Sequence, residues 1–229
     1  MSDYTSSFPI LVLDASTGCL QTGILKESGK WASFETSDHE VLSAISIEIR
    51  NVLKQSQLEI EQLDTIYLCE GPGSLLGIRL TAMVARTWLN IPSLKHLKVF
   101  TYSSLRLAEQ ILRKETQALP TPPYGITSRS RLKHVNLMTR HHRENNSGEQ
   151  WSECSESDLA EIPYPIYRIQ SKPDHTGCMP KNPIHYELRD HPDLLSRPTG
   201  LKRTSEPNPV KLHHPNYKKW DAQRHRAKQ

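Results

Sequence analysis

The first half of the chain alternates between short apolar runs and longer segments of helical spacing. FPILVLDAS is an apolar run ending in Asp14, which suits a buried strand. CLQTGILKES and KWASFET read as two further strands, with Gly29 at the turn between them. In SDHEVLSAISIEIRNVLKQS the period changes. Val41, Ile45, Ile49 and Val52 form one helical stripe, flanked by Leu42, Ser46 and Leu53. Ser37 or Asp38 is placed to cap this helix, with Glu40 three residues after Ser37. LDTIYLCE is the next strand, GPGS a turn, and LLGIRLTAMVARTWLN a second helix ended by Pro92. HLKVFT and YSSLRLAEQILRKE add a strand and a third helix. The order β-β-β-α-β-α-β-α predicts a mixed sheet. Its first three strands should be antiparallel and its later ones joined by helical crossovers.

The pattern changes near residue 118. LPTPPYG is a proline-rich bend, and beyond it the apolar runs are short: HVNLMT, IPYPIYRIQ and little else. Three segments are expected: a lobe over 1–118, a reduced and partly irregular second lobe over 119–205, and a tail over 206–229. Hydrophobic residues make up 36% of the chain, consistent with a full core in only part of it. The net charge of +4 hides an asymmetry, because residues 197–229 hold nine Lys/Arg against two Asp/Glu. Such a tail can touch nucleic acid by counterion release, although a solvated end is the plainer reading.

The four cysteines form no framework. Cys19 and Cys69 lie in strand-like runs, where thiols pack as small hydrophobes, and this usage suits a reducing, cytoplasmic setting. No run approaches the roughly 18 apolar residues of a membrane span, and the N-terminus, with Asp3, lacks the basic start of a secretory signal.

The chemistry candidates are few. Gly71, Gly73 and Ser74 precede a helix, where unpaired N–H groups and the helix dipole can hold an anion. The Walker pattern is not met, since Gly77 is followed by Ile78 rather than Lys, and Glu70 beside the loop would repel phosphate. The reading adopted is structural: the glycines permit positive φ and a close strand-to-helix approach. His141, His142, Cys154, His175 and Cys178 fit no standard zinc spacing. Ser74 lacks the GxSxG context of a hydrolase nucleophile. Leu42, Ile45 and Ile49 on the first helix, with Leu80, Met83 and Val84 on the second, can serve as core or as a partner surface.

Three stretches carry a resemblance: ILVLDASTGCLQTGIL, DHEVLSAI and above all GPGSLLGIR. They are similar to the TsaB (YeaZ) family, the partner subunit of the bacterial tRNA threonylcarbamoyladenosine-modifying complex. The match rests on Asp14 and Thr17 of the DAST element, and on Gly71, Pro72, Gly73, Ser74, Gly77 and Arg79 of the GPGS element. It is good over about residues 10–110 and weak and gapped from 120 to 205. NPVKLHHPNYKKW is similar to the family's closing segment. The resemblance implies an actin-like, ribonuclease-H-like ATPase (ASKHA) fold of two duplicated lobes. In that superfamily the Asp after the first strand sits by the nucleotide phosphates, so Asp14 has a phosphate-side reading and a turn-capping one.

The family's catalytic paralogue, TsaD, carries a metal-binding HxxxH. Here Thr101 and Leu105 stand at those positions, and neither replaces an imidazole ligand. Thr81, Met83 and Thr87 depart from the small residues usual on the family's second helix. The implied role is a non-catalytic partner without cofactor or metal of its own. It would pair through its first two helices with a TsaD-like subunit, alongside a TsaE-like ATPase, and reach tRNA through that complex. A homodimer in the absence of the partner stays open. The alternatives are an actin-like-fold ATP-binding enzyme or kinase using Asp14 and the GPGS loop, and a degenerate relative that has lost its partner.

Overall fold

The computed structural model describes residues 8–130, 133–141, 148–170, 181–196 and 200–210. The first sheet grows around β1 (Ile10–Asp14). On one side β1 pairs antiparallel with β2 (Leu20–Leu25), which pairs antiparallel with β3 (Trp31–Ser37). On the other it runs parallel to β4 (Thr65–Gly71), and β4 runs parallel to β5 (Lys98–Ser103). The mixed sheet expected from the element order is therefore present.

The uninterrupted apolar run of β1 follows from burial on both faces. Ile10 and Val12 enter one core cluster, Leu11 and Leu13 the other. The Leu11/Leu13 face is covered by α1 (Val41–Gln55) and α2 (Leu75–Leu89). The Ile10/Val12 face is covered by α3 (Ser104–Thr116), whose Leu105, Ala108, Ile111 and Leu112 lie in the same cluster. Cys19 and Cys69 are buried thiols, as small hydrophobes should be.

The cap expected for α1 is corrected. Ser37 is taken up as the last residue of β3, paired with Leu20, and the helix starts after Glu40 with no side-chain cap bond. Ser43 Oγ instead donates to the Glu40 carbonyl at 2.8 Å.

The second lobe holds more sheet than its sequence suggests. It comprises β6 (Tyr124–Arg129), β7 (His134–His141), β8 (Gly148–Ser155), α4 (Glu156–Ala160), β9 (Ile166–Gln170) and β10 (Pro183–His185). The strand order β10-β9-β6-β7-β8 repeats the order β5-β4-β1-β2-β3 of the first sheet. What is reduced is the helical cover: α4 has 5 residues where α1 has 15. Residues throughout β8 and β9 are only half-buried, which is why their apolar pattern is weak.

The chain then returns to the first lobe through α5 (Pro192–Ser196) and β11 (Lys202–Arg203), the latter antiparallel to β5. Thr204 N–H donates to Val99 O at 2.9 Å and Val210 N–H to Glu70 O at 2.8 Å. Backbone pairing thus ties this return segment to the first sheet. Most of the expected basic tail, residues 211–229, lies outside the described residues, as do His142, His175 and Cys178.

His191, between the two lobes' elements, is buried, and burial followed by the Lys114 charge lowers its pKa. The folded protein then binds fewer protons than the unfolded chain around and below the ordinary histidine value of about 6.5. Its contribution is present above that value and is lost as pH falls through it. Thermal unfolding of wild type against His191→Gln between pH 7.5 and 5.5 should show the wild type losing more stability on acidification. Equal slopes would remove His191 from that account.

Candidate functional site: a filled cleft and an apolar helix face

Asp14 closes β1 and is fully buried. Its Oδ1 accepts the Ser16 N–H at 2.8 Å, and its Oδ2 accepts the hydroxyls of Tyr102 at 2.8 Å and Tyr186 at 2.9 Å. Burial, and then the Asp14 charge, push both tyrosine hydroxyls well above their usual range, so they remain protonated donors. The neighbouring Cys69 thiol is pushed up by the same two causes, the opposite of an activated nucleophile. A buried carboxylate is stable when hydrogen-bonded, and the protein itself supplies those bonds here.

The GPGS loop packs against the turn that follows Asp14. A Cβ on Gly73 would lie 2.2 Å from Ser16 O, and one on Gly77 would lie 2.4 Å from Ala15 O. Ser74 N–H donates to Ser16 O at 2.6 Å, so the start of α2 is engaged by backbone. Pro72 O accepts from Ser104 Oγ at 2.5 Å and from Ser128 Oγ at 3.1 Å, joining the loop to α3 and to β6. The glycines serve close approach, as the structural reading of the motif expects. Thr17 is half-buried and Arg79 exposed. Thr101 and Leu105 are buried, Leu105 wholly within the core. Among the described residues no group of three or more His, Cys, Asp or Glu is placed to hold a metal.

The second feature is the outer side of α1 and α2. Of the residues that could serve as core or as partner surface, Ile45, Ile49 and Leu80 pack into the core beneath the helices, at 6%, 5% and 8% exposure, because the sheet face there must be covered. Val84 is half-buried against the same core. Leu42 and Met83 do face outward, at 61% and 50% exposure. Ile47, Leu75 and Leu76 join them, although the sequence alone did not separate them from core. Between the helices lies a groove of about 680 Å³ lined by Ile49, Leu53, Ile60, Val84 and Trp88, with Arg50 and Lys54 among its polar lining. Thr81 and Thr87 stay within the helix, donating to Ile78 O at 3.0 Å and to Met83 O at 2.9 Å.

A polar cluster between the lobes was also missed. Glu109 of α3 accepts from Arg140 Nε at 2.6 Å and Nη2 at 2.5 Å, and from Tyr124 OH at 2.5 Å. Glu149 pairs with Arg140 at 2.9 Å and Arg106 at 3.0 Å, and accepts from Trp151 Nε1. One sequence signal could have found it: Glu109 interrupts the buried stripe Leu105, Ala108, Leu112 of α3.

Two sheets of the same strand order, with a buried carboxylate at the end of the first strand, define an actin-like ATPase-type fold. The carboxylate at the end of its first strand is taken up by the hydroxyls of Tyr102 and Tyr186. Residues 35–119 match the family model described as TsaD, tRNA N6-adenosine threonylcarbamoyltransferase. Among solved structures, one described as an uncharacterized protein with similarity to peptidase YEAZ from Pseudomonas aeruginosa superimposes with TM-score 0.61 at 17% identity. It covers 89% of this chain and 99% of its own. YeaZ from Pseudomonas aeruginosa gives TM-score 0.57 at 18% identity, covering 82% of this chain and 88% of its own. No curated protein matches the sequence. At 17% and 18% identity these neighbours show a shared fold, and the TsaD match over residues 35–119 contains the GPGSLLGIR element.

Proposed function

We propose that this chain is a non-catalytic partner subunit for threonylcarbamoyl transfer to the adenosine beside the tRNA anticodon. It acts in the cytoplasm by pairing through α1 and α2 with a TsaD-like catalytic subunit, and a TsaE-like ATPase and tRNA join through that complex. One observation carries the reading. Among the described residues, every large exposed hydrophobic side chain (Leu42, Ile47, Leu75, Leu76, Met83 and Ile91) lies on or directly after α1 and α2. Clustered exposed apolar surface marks an interaction face. The occupied Asp14 carboxylate and the blocked start of α2 weigh against the ATP-binding alternative, which needs both to meet a phosphate.

The test is light scattering after size exclusion, with this protein mixed with the TsaD-like protein of the same genome. A one-to-one complex is expected, weakened at least about 100-fold by Leu42→Asp combined with Met83→Asp, since charges would be buried without partners. Both side chains are exposed, so the fold should be kept. Separate peaks at micromolar concentration would sink the pairing.

A further inference from the structure

The segment Pro183–Ser196 makes a series of polar contacts that the partner role does not use. Tyr186, 172 residues from Asp14 in sequence, lays its hydroxyl on the Asp14 carboxylate at 2.9 Å. Around it, buried Gln21 of β2 donates through Nε2 to Tyr186 O at 3.0 Å and accepts the Leu188 N–H at 2.7 Å. Trp31 Nε1 donates to Arg189 O at 3.1 Å, and Arg189 Nη2 donates to Phe34 O at 3.2 Å, its guanidinium lying over the Phe34 ring at 5.0 Å. Leu188 and Leu195 enter the core cluster shared with β1 and α3.

These contacts join residues 186–189, which directly follow β10 of the second sheet, to β1, β2 and β3 of the first. One of them, the Tyr186 hydroxyl, ends on the Asp14 carboxylate that closes β1. Tyr124, Ile126, Met138 and Ile184 of the second lobe share one buried cluster with β1 and α3, so the motion to consider is local opening of the segment over Asp14 rather than separation of the lobes. We infer that Pro183–Ser196 is a latch: Tyr186 on Asp14 and the Gln21 bridge hold this segment down on the first lobe and keep Asp14 out of reach of any ligand.

The geometry separates a latch from ordinary packing. The Tyr186 hydroxyl adds no aliphatic packing, so removing it alone costs only its bond to the charge. A hydroxyl bonded to a buried carboxylate is stronger than a neutral pair, so its loss should shift a local opening equilibrium about tenfold or more. Tyr102 remains on Asp14 when Tyr186 is changed, so the first lobe keeps its own support.

The experiment is native-state hydrogen exchange followed by mass spectrometry on the full chain, for wild type, Tyr186→Phe and Gln21→Met. Peptides spanning residues 183–196 and the Ser16 amide report the latch, and peptides in α1 and β7 report each lobe itself. Both variants should speed exchange in 183–196 by about tenfold, with α1 and β7 within about twofold of wild type. Uniform acceleration across all peptides would make Tyr186 an ordinary stabilising residue and overturn the latch. So would exchange in 183–196 that stays within about twofold of wild type. Partner binding enters neither readout, so the latch and the proposed function stand or fall separately.

Discussion

Gly77→Ala is expected to destabilise the protein by about 3 kcal/mol, although alanine at a helix interior normally stabilises by about 1 kcal/mol relative to glycine. The sign reverses because of the neighbour. The new Cβ would sit 2.4 Å from Ala15 O and 2.9 Å from Ala15 Cβ, and that turn cannot retreat. It is held by Asp14, which accepts the Ser16 N–H, and by Ser74, which donates to Ser16 O. Relief must come from α2 lifting off the sheet, which opens the packing of Leu80 and Ala85 in the core beneath. For a chain of this size the fall in Tm should be about 6–12 °C. Ser46→Ala on the exposed side of α1 serves as the control, expected within about 0.5 kcal/mol of wild type. A Gly77→Ala protein as stable as wild type would show that the loop and the turn are not in close contact.

Glu109→Ala should cost about 3 kcal/mol in urea unfolding, with the slope against denaturant unchanged. The Glu109 and Arg140 side chains are 11% and 17% exposed, so solvent cannot replace the lost pair. The substitution strands one charged group and the Tyr124 hydroxyl together. Glu149, at 2.9 Å from Arg140, softens the loss without replacing the two-pronged bond. By contrast, the pair Arg168–Glu156 at 3.0 Å has a carboxylate side chain 49% exposed, so Glu156→Ala should cost no more than about 0.5 kcal/mol. If the two variants behaved alike, the interlobe cluster would be worth no more than a surface pair.

The first lobe was legible because its signals are local. A strand buried on both faces must be apolar throughout, so FPILVLD could be read directly, and α1 showed its buried side at positions 41, 45, 49 and 52. Which remaining residues of α1 and α2 faced outward was not legible. Ile45 and Leu42 have the same chemistry, and only the sheet beneath separates 6% from 61% exposure. The second sheet escaped for a related reason. Its strands β8 and β9 are largely half-buried, and they are held by backbone pairing with other strands, such as β9 alongside β6, which leaves little trace in hydrophobic pattern.

The chain by itself determined the order of the first lobe's elements, the turn at Gly71–Ser74 and the presence of a carboxylate at the end of β1. Periodicity, glycine and the end of an apolar run act over a few residues and can be read there. Tertiary structure alone decided what that carboxylate does. Its partners are Tyr102 and Tyr186, the latter 172 residues away, and no local rule links such positions. The cost of burying an unbonded charge makes their meeting at Asp14 a requirement of this fold.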